Sequence, residues 1–232
     1  MNDIAWFREK LRKSAETEST DCTPLVEWLE DRRATTGFAA ELVPLNSLRG
    51  WRIDPQTGDV AHESGQFFGI SGVRVTAQGM REVMSWDQPI YTQPEGGVLA
   101  MLCEESADGS EIRFLLQAKA EPGNLGILQF APSAQATWSN LRRAHKGKKP
   151  PLSEYLLGEA DCQLVYAAEH NEEGGRFWQK SNSNRLILTK PGELDPETLG
   201  GMFVWASLGQ IKDLALRDNV LNPFVKTIIA PL

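Results

Sequence analysis

The run Gln117-Ala118-Lys119-Ala120-Glu121-Pro122-Gly123-Asn124 sets a lysine and a carboxylate two residues apart among alanines, with a Pro-Gly turn directly behind them. Gln129 follows, and then Gln135-Ala136-Thr137-Trp138-Ser139-Asn140. On a strand, side chains two apart share a face, so Gln117, Lys119 and Glu121 point the same way. Amides and hydroxyls gathered at strand ends are the usual lining of a small-molecule pocket. A structural reading stands beside that one: Gln117 caps a sheet edge, and Lys119 and Glu121 form a surface ion pair. Residue types alone favour the structural reading, since a motif without context is weak.

Other chemistries are absent from the pattern. The chain has no G-x-S-x-G, no H-E-x-x-H and no Walker loop. His62, His145 and His170 are dispersed, and Gly69 and Gly72 do not complete a dinucleotide fingerprint. Cys22, Cys103 and Cys162 lie far apart with no C-x-x-C pair, which excludes zinc-ribbon and thioredoxin-like sites and suits reduced thiols in the cytoplasm. With 24 Lys+Arg against 31 Asp+Glu the net charge is −7, and no basic block offers itself to nucleic acid. A few placed arginines still suffice for a small anion. No apolar run approaches a membrane span, and the first residues lack the pattern of a signal peptide.

The 232 residues, 41% hydrophobic and 24% charged, have the composition of a globular protein with a sizeable core. Ile4, Phe7 and Leu11 predict a helix over 3–16. Pro24 after Thr23 opens a second, with Leu25, Trp28 and Leu29 as its stripe and Gly37 as its stop. Strands are expected over 67–75, 98–103, 112–118 and 127–130, with Asp108-Gly109 as the tight turn of a hairpin. Alanines over 133–143 suggest a helix, and 147–151 a loop. A strand over 162–167 turns at Gly174-Gly175 and returns from Phe177. Helices are expected over 196–206 and 208–216. The sum is one α+β domain over 1–232, with N-terminal helices within about 3–36 and a mixed sheet flanked by helices.

Taken in order, these segments resemble the NDP-hexose 2,3-dehydratase family. The resemblance runs through Gly69 to Val75, Arg81-Glu82-Val83, Trp86-Asp87-Gln88-Pro89 and Gln93-Pro94-Glu95. It continues through Q-A-K-x-E-P-G-N at 117–124, Q-A-T-x-S-N at 135–140 and His145, and ends in 205–212 and Asp218-Asn219. It implies a Nudix-like fold, a nucleotide-linked 4-keto-6-deoxyhexose as substrate, and a place in deoxysugar biosynthesis. Family members resemble two tandem copies of this unit, and here Leu141 and Arg142 replace an aromatic residue and a threonine. The hydrolytic Nudix box R-E-x-x-E-E-x-G is missing: after Arg81-Glu82 its paired glutamates fall on Ser85 and Trp86 and its glycine on Gln88. Without those oxygens a magnesium site there is not expected, nor is pyrophosphate hydrolysis.

Dehydration across C2 and C3 of such a sugar needs a base for the C3 proton, a donor for the enolate oxygen and an acid for the departing hydroxyl. It needs no metal or redox cofactor. The resemblance makes Glu121 the candidate base, Lys119 the enolate stabiliser and His145 the acid. Arg143 and Arg74 are the diphosphate candidates, since guanidinium forks match phosphate oxygens. Trp86 is the base-stacking candidate. Gln93, Glu95, Gln117, Asn124, Gln129, Gln135, Thr137 and Asn140 complete the expected substrate contacts. Arg176, Lys180 and Arg185 read as a solvated basic face. A homodimer is expected, with Leu208, Ile211, Leu214 and Leu216 as apolar surface for it. The competing reading is a non-catalytic sugar-nucleotide-binding module of the same fold.

Overall fold

The chain enters through two helices, α1 (Ala5–Ser14) and α2 (Thr23–Thr35). In α1, Phe7, Leu11 and Ser14 recur on one buried face, and Arg12 and Lys13 in the last turn suit the negative end of the helix dipole. In α2, Pro24 sits in the first turn, where its missing N–H costs nothing. Leu25 and Leu29 are buried, and Trp28 stacks on Phe130 with ring centroids 5.9 Å apart. The computed structural model describes residues 4–79, 82–93, 95–141 and 149–232.

An antiparallel sheet of four strands follows, in the order β1 (Trp51–Ile53), β2 (Val60–His62), β3 (Gly69–Thr76), β4 (Ser85–Thr92). A seven-stranded mixed sheet forms the body. Its strands are β5 (Gly97–Glu105), β6 (Ile112–Ala120), β7 (Leu128–Ala131), β8 (Ala134–Thr137), β9 (Gln163–Asn171), β10 (Ser181–Leu188) and β11 (Phe203–Ser207). The main order is β11-β6-β5-β10-β9, with β7 on β6 and β8 on β5. Among these pairings only β10 with β5 is parallel. β5 and β6 form the expected hairpin, and Gly109 takes φ +71° in its turn, a conformation that favours glycine.

Both faces of this sheet are covered, which is why β5 reads as a nearly unbroken apolar run. One face carries Leu99, Met101, Phe114 and Leu116 and packs on α1, α2, α5 (Leu208–Leu214) and α6 (Pro223–Ile229). The other carries Val98, Ala100, Leu102 and Leu115 beneath Leu141 of α3 (Trp138–Leu141) and Tyr155 and Leu156 of α4 (Ser153–Leu157). The α+β class and mixed sheet are as expected.

Three expectations are corrected. Within the segment expected as helix over 133–143, Ala134–Thr137 is strand β8, and helix begins only at Trp138. Ala134 and Ala136 alternate inward with Gln135 and Thr137, a period of two that alanine's helix propensity hides. The segment over 196–206 runs through turns to Gly200 and Gly201, whose φ values of +87° and +69° break a helix, and then forms β11. The stripe offered for dimerisation is largely spent inside the chain: Leu208, Ile211 and Leu214 are buried in the core, and Leu216 alone of the four is exposed.

Candidate functional site

The site grows from a fork in the large sheet. β5 and β6 pair from Glu105–Ile112 to Leu102–Leu115 and then part. Beyond that point β5 pairs with β8 and β6 with β7. Ser133, in the turn joining β7 to β8, sits in the crotch. Its Oγ accepts the Leu102 N–H at 2.8 Å and donates to the Leu115 carbonyl, so both backbone groups stay satisfied where the ladder opens.

A cavity of about 240 Å³ lies beyond the fork, lined from β6 by Lys119, from the turn after it by Glu121, and from β8 and α3 by Gln135, Thr137 and Asn140. Lys119 Nζ lies 3.1 Å from Glu121 Oε1. Gln135 Nε2 donates to the same oxygen across the fork at 3.0 Å. Glu121 Oε2 has Asn222 Nδ2 at 3.5 Å. Gln135 Oε1 is buried without a hydrogen-bond partner, an acceptor that a ligand hydroxyl would satisfy. Burial pushes the Lys119 ammonium below the ordinary lysine value, and the Glu121 charge opposes that shift.

Asn124 holds the turn rather than lining the cavity. Its Nδ2 donates to the Ile127 and Lys119 carbonyls at 3.2 and 3.4 Å, fixing the segment that carries Glu121. Gln129 stands opposite Lys119 in the β6–β7 register, and Gln117 lies on the Lys119 face one pair further from the opening. Glu95 Oε1 accepts the Ser139 N–H at 2.7 Å, and the Thr137 hydroxyl accepts the Asn140 N–H at 3.3 Å. Together they seat the short α3 at the cavity rim.

A second cavity of about 550 Å³ opens between the small sheet and the 172–180 segment. Val73, Val75, Trp86, Gln88 and Ile90 form one wall, and Gly174, Gly175, Phe177 and Trp178 the other. The segment is docked on β4 by backbone bonds of 2.8 Å from Trp178 to Tyr91 and from Tyr91 to Arg176, and by Gln88 Nε2 on the Gly175 carbonyl at 3.0 Å. Glu172 and Lys180 line both cavities. Lys180 Nζ donates to Gln93 Oε1 at 2.7 Å and lies 3.5 Å from Glu172 Oε1.

The structure thus brings Lys119, Glu121, Gln135, Thr137 and Asn140 together in one cavity and sets Trp86 in its neighbour. Arg74 does not join them. Its guanidinium makes a two-pronged pair with Asp87, at 3.0 and 2.9 Å, and is 81% exposed. Arg143 and His145 lie outside the described residues. Lys180 is corrected from solvated face to buried wall, its side chain 9% exposed. Glu172 and Asn182 were missed. Asn182 and Asn184 fall in the buried phase of β10, and that polar alternation ahead of Leu186 was their available signal. Among the described residues no group of three or more His, Cys, Asp or Glu side chains could hold a metal ion, and no helix is long and apolar enough to cross a membrane.

The family model of NDP-hexose 2,3-dehydratase matches residues 22–232. A dTDP-4-dehydro-6-deoxy-alpha-D-glucopyranose 2,3-dehydratase of Saccharopolyspora spinosa is 34% identical over 204 residues, covering 88% of this chain and 40% of that protein. One of Streptomyces violaceoruber is 36% identical over 214 residues, covering 92% of this chain and 47% of that protein. The chain therefore spans about half the length of the curated relatives it matches, or less. Among solved structures, the complex between the C-terminal domain of mouse MUTYH and human PCNA aligns over 60% of this chain and 86% of that one, with TM-score 0.33 and 12% identity. So slight a likeness carries no argument, and the Nudix-like part of the fold expectation rests on the sequence resemblance alone.

Proposed function

Because the chain belongs to the NDP-hexose 2,3-dehydratase family, we propose that it is a lyase that removes water across C2 and C3 of a dTDP-linked 4-keto-6-deoxyhexose. The observation that carries this reading is the Lys119–Glu121–Gln135 constellation at the fork: a carboxylate, an ammonium and an amide face one cavity of hexose scale. A ketone at C4 makes the C3 hydrogen acidic. Glu121 takes that proton, through Oε2, the oxygen with the longer contact. The C–H electron pair moves into an enolate whose oxygen faces Lys119. The enolate then reforms the C4 ketone, C2–C3 becomes a double bond, and the C2–O bond breaks. A proton from an acid, the part assigned by the resemblance to His145, completes the water. The product is an enol at C3, which tautomerises to a ketone.

Gln135 Oε1 accepts a sugar hydroxyl in this reading, and Trp86 stacks on the nucleobase in the larger cavity. A cytoplasmic setting goes with three free thiols. A two-fold pair of chains belongs to the reading through the tandem resemblance, and light scattering that returns a single-chain mass at micromolar concentration removes it. The test of function is direct. The purified protein is incubated with dTDP-4-keto-6-deoxyglucose and the loss of one water is followed by mass spectrometry. Tight binding without any mass change would replace the lyase with a sugar-nucleotide-binding module.

A further inference from the structure

A sugar nucleotide has a nucleoside at one end, a hexose at the other and a diphosphate between. The two cavities have the same order. The smaller is polar and holds the acid–base groups, and the larger is walled by Trp86, Phe177 and Trp178. Glu172 and Lys180 are the only described residues that line both. We infer that the Lys180 ammonium is a diphosphate contact of the substrate, gripping it at the junction of the two cavities. This rests on the sugar-nucleotide reading above.

Among the described residues, the neighbouring cations are placed for different work. Lys119 is held on Glu121 at 3.1 Å, inside the smaller cavity. Arg74 is turned outward onto Asp87. Arg176 is exposed, with its guanidinium on the Gly175 carbonyl at 3.3 Å. Arg185 donates to the Leu156 carbonyl at 3.0 Å, on the α4 side of the sheet. Among the described residues that line either cavity, Lys119 and Lys180 are the two cations, and Lys180 alone reaches both spaces.

The surroundings of Lys180 fit an anion that comes and goes. An ammonium has three N–H donors. Gln93 Oε1 takes one at 2.7 Å, and Glu172 stands at 3.5 Å, a looser ion pair, so a donor remains for a phosphate oxygen. Burying an ammonium is costly unless it is paired, and Glu172 holds the charge in place before ligand arrives. The same carboxylate repels a bound diphosphate. Glu172 therefore stabilises the empty site and opposes the filled one.

That opposition gives the test its sign. Affinities for dTDP and for thymidine, which lacks the diphosphate, are measured by calorimetry on the whole chain. Lys180→Met should weaken dTDP by about 10- to 100-fold, the usual worth of a hydrogen bond to a charged group, and leave thymidine unchanged. Lys180→Arg should recover most of the dTDP affinity. Glu172→Gln should tighten dTDP. If Lys180→Met weakens thymidine as much as dTDP, or Glu172→Gln weakens both, the pair is only a clamp for the 172–180 segment and the inference falls. Should Lys180→Met fail to fold, Lys180→Arg and Glu172→Gln decide the matter. A wild-type chain that binds dTDP through Lys180 but never dehydrates a sugar would overturn the lyase reading and leave this one standing. A chain that dehydrates normally after Lys180→Met, with unchanged dTDP affinity, would do the reverse.

Discussion

Replacing Glu121 by glutamine keeps the side chain's size and its Oε1 acceptor while removing the basic carboxylate. Lys119 and Gln135 both address Oε1, at 3.1 and 3.0 Å, so an amide carbonyl can take over those contacts with little movement. Loss of positioned proton transfer lowers turnover by about two to four orders of magnitude, or about 3 to 5 kcal/mol on the barrier. The cost to the fold is smaller. The Lys119–Glu121 pair is about a third exposed, and a pair so placed is worth about 1 kcal/mol or less. A turnover loss of the expected size therefore cannot come from unfolding, and affinity for the sugar nucleotide should change little. The informative assay is exchange of the C3 hydrogen in deuterated solvent, read by NMR beside water loss read by mass. Glu121→Gln should slow both together. If the variant exchanges C3 hydrogen at the wild-type rate, Glu121 is not the base.

The pH profile tests Lys119. Its pKa is lowered by burial from the ordinary 10.5, so the ammonium proposed to face the enolate is lost earlier than in a free lysine. Turnover should fall along an alkaline limb that begins below that value. In Glu121→Gln the limb should move to still lower pH, because burial then acts unopposed. The stability sign is opposite: the unfolded chain binds this proton more tightly, so the contribution of Lys119 to stability rises with pH through the window between its lowered value and the ordinary one. Ser133→Ala strands the Leu102 N–H and Leu115 carbonyl at the fork, and should cost about 2 to 4 kcal/mol in denaturant unfolding. An unchanged midpoint would mean that water replaces the hydroxyl without loss. Arg74→Ala should leave dTDP affinity unchanged by calorimetry, because the guanidinium is paired with Asp87 and lines neither cavity.

Local signals located much of this fold. α1, α2 and the β5–β6 hairpin announce themselves through periodicity, a helix-opening proline and Asp108-Gly109. β4 escaped because Pro89 and three polar or charged neighbours obscure its pattern. It lies at the edge of its sheet, where a proline leaves no ladder bond unmade. Over β8 and β11, alanine propensity and an Asp-Pro start outweigh short alternations and point to helix.

The site divides along the same line. Lys119, Glu121, Gln135, Thr137 and Asn140 fall within one stretch of chain, and their types suffice to nominate them. Glu172 and Lys180 arrive by the antiparallel β9–β10 hairpin and the parallel pairing of β10 with β5. No local pattern encodes that pairing. In a run with Glu173 and Arg176 beside two glycines, a lysine looks solvated, and only the docking of 172–180 against β4 encloses it. The position of the cavity follows from where β5 and β6 part, and one serine hydroxyl satisfies both strands there. A serine in a small-residue turn is too common for sequence to single out. Its role appears only when the two backbone groups it serves are found on separating strands. The candidate residues of the site are legible from composition along β6 and β8, whereas the boundary and charge of the pocket are properties of topology.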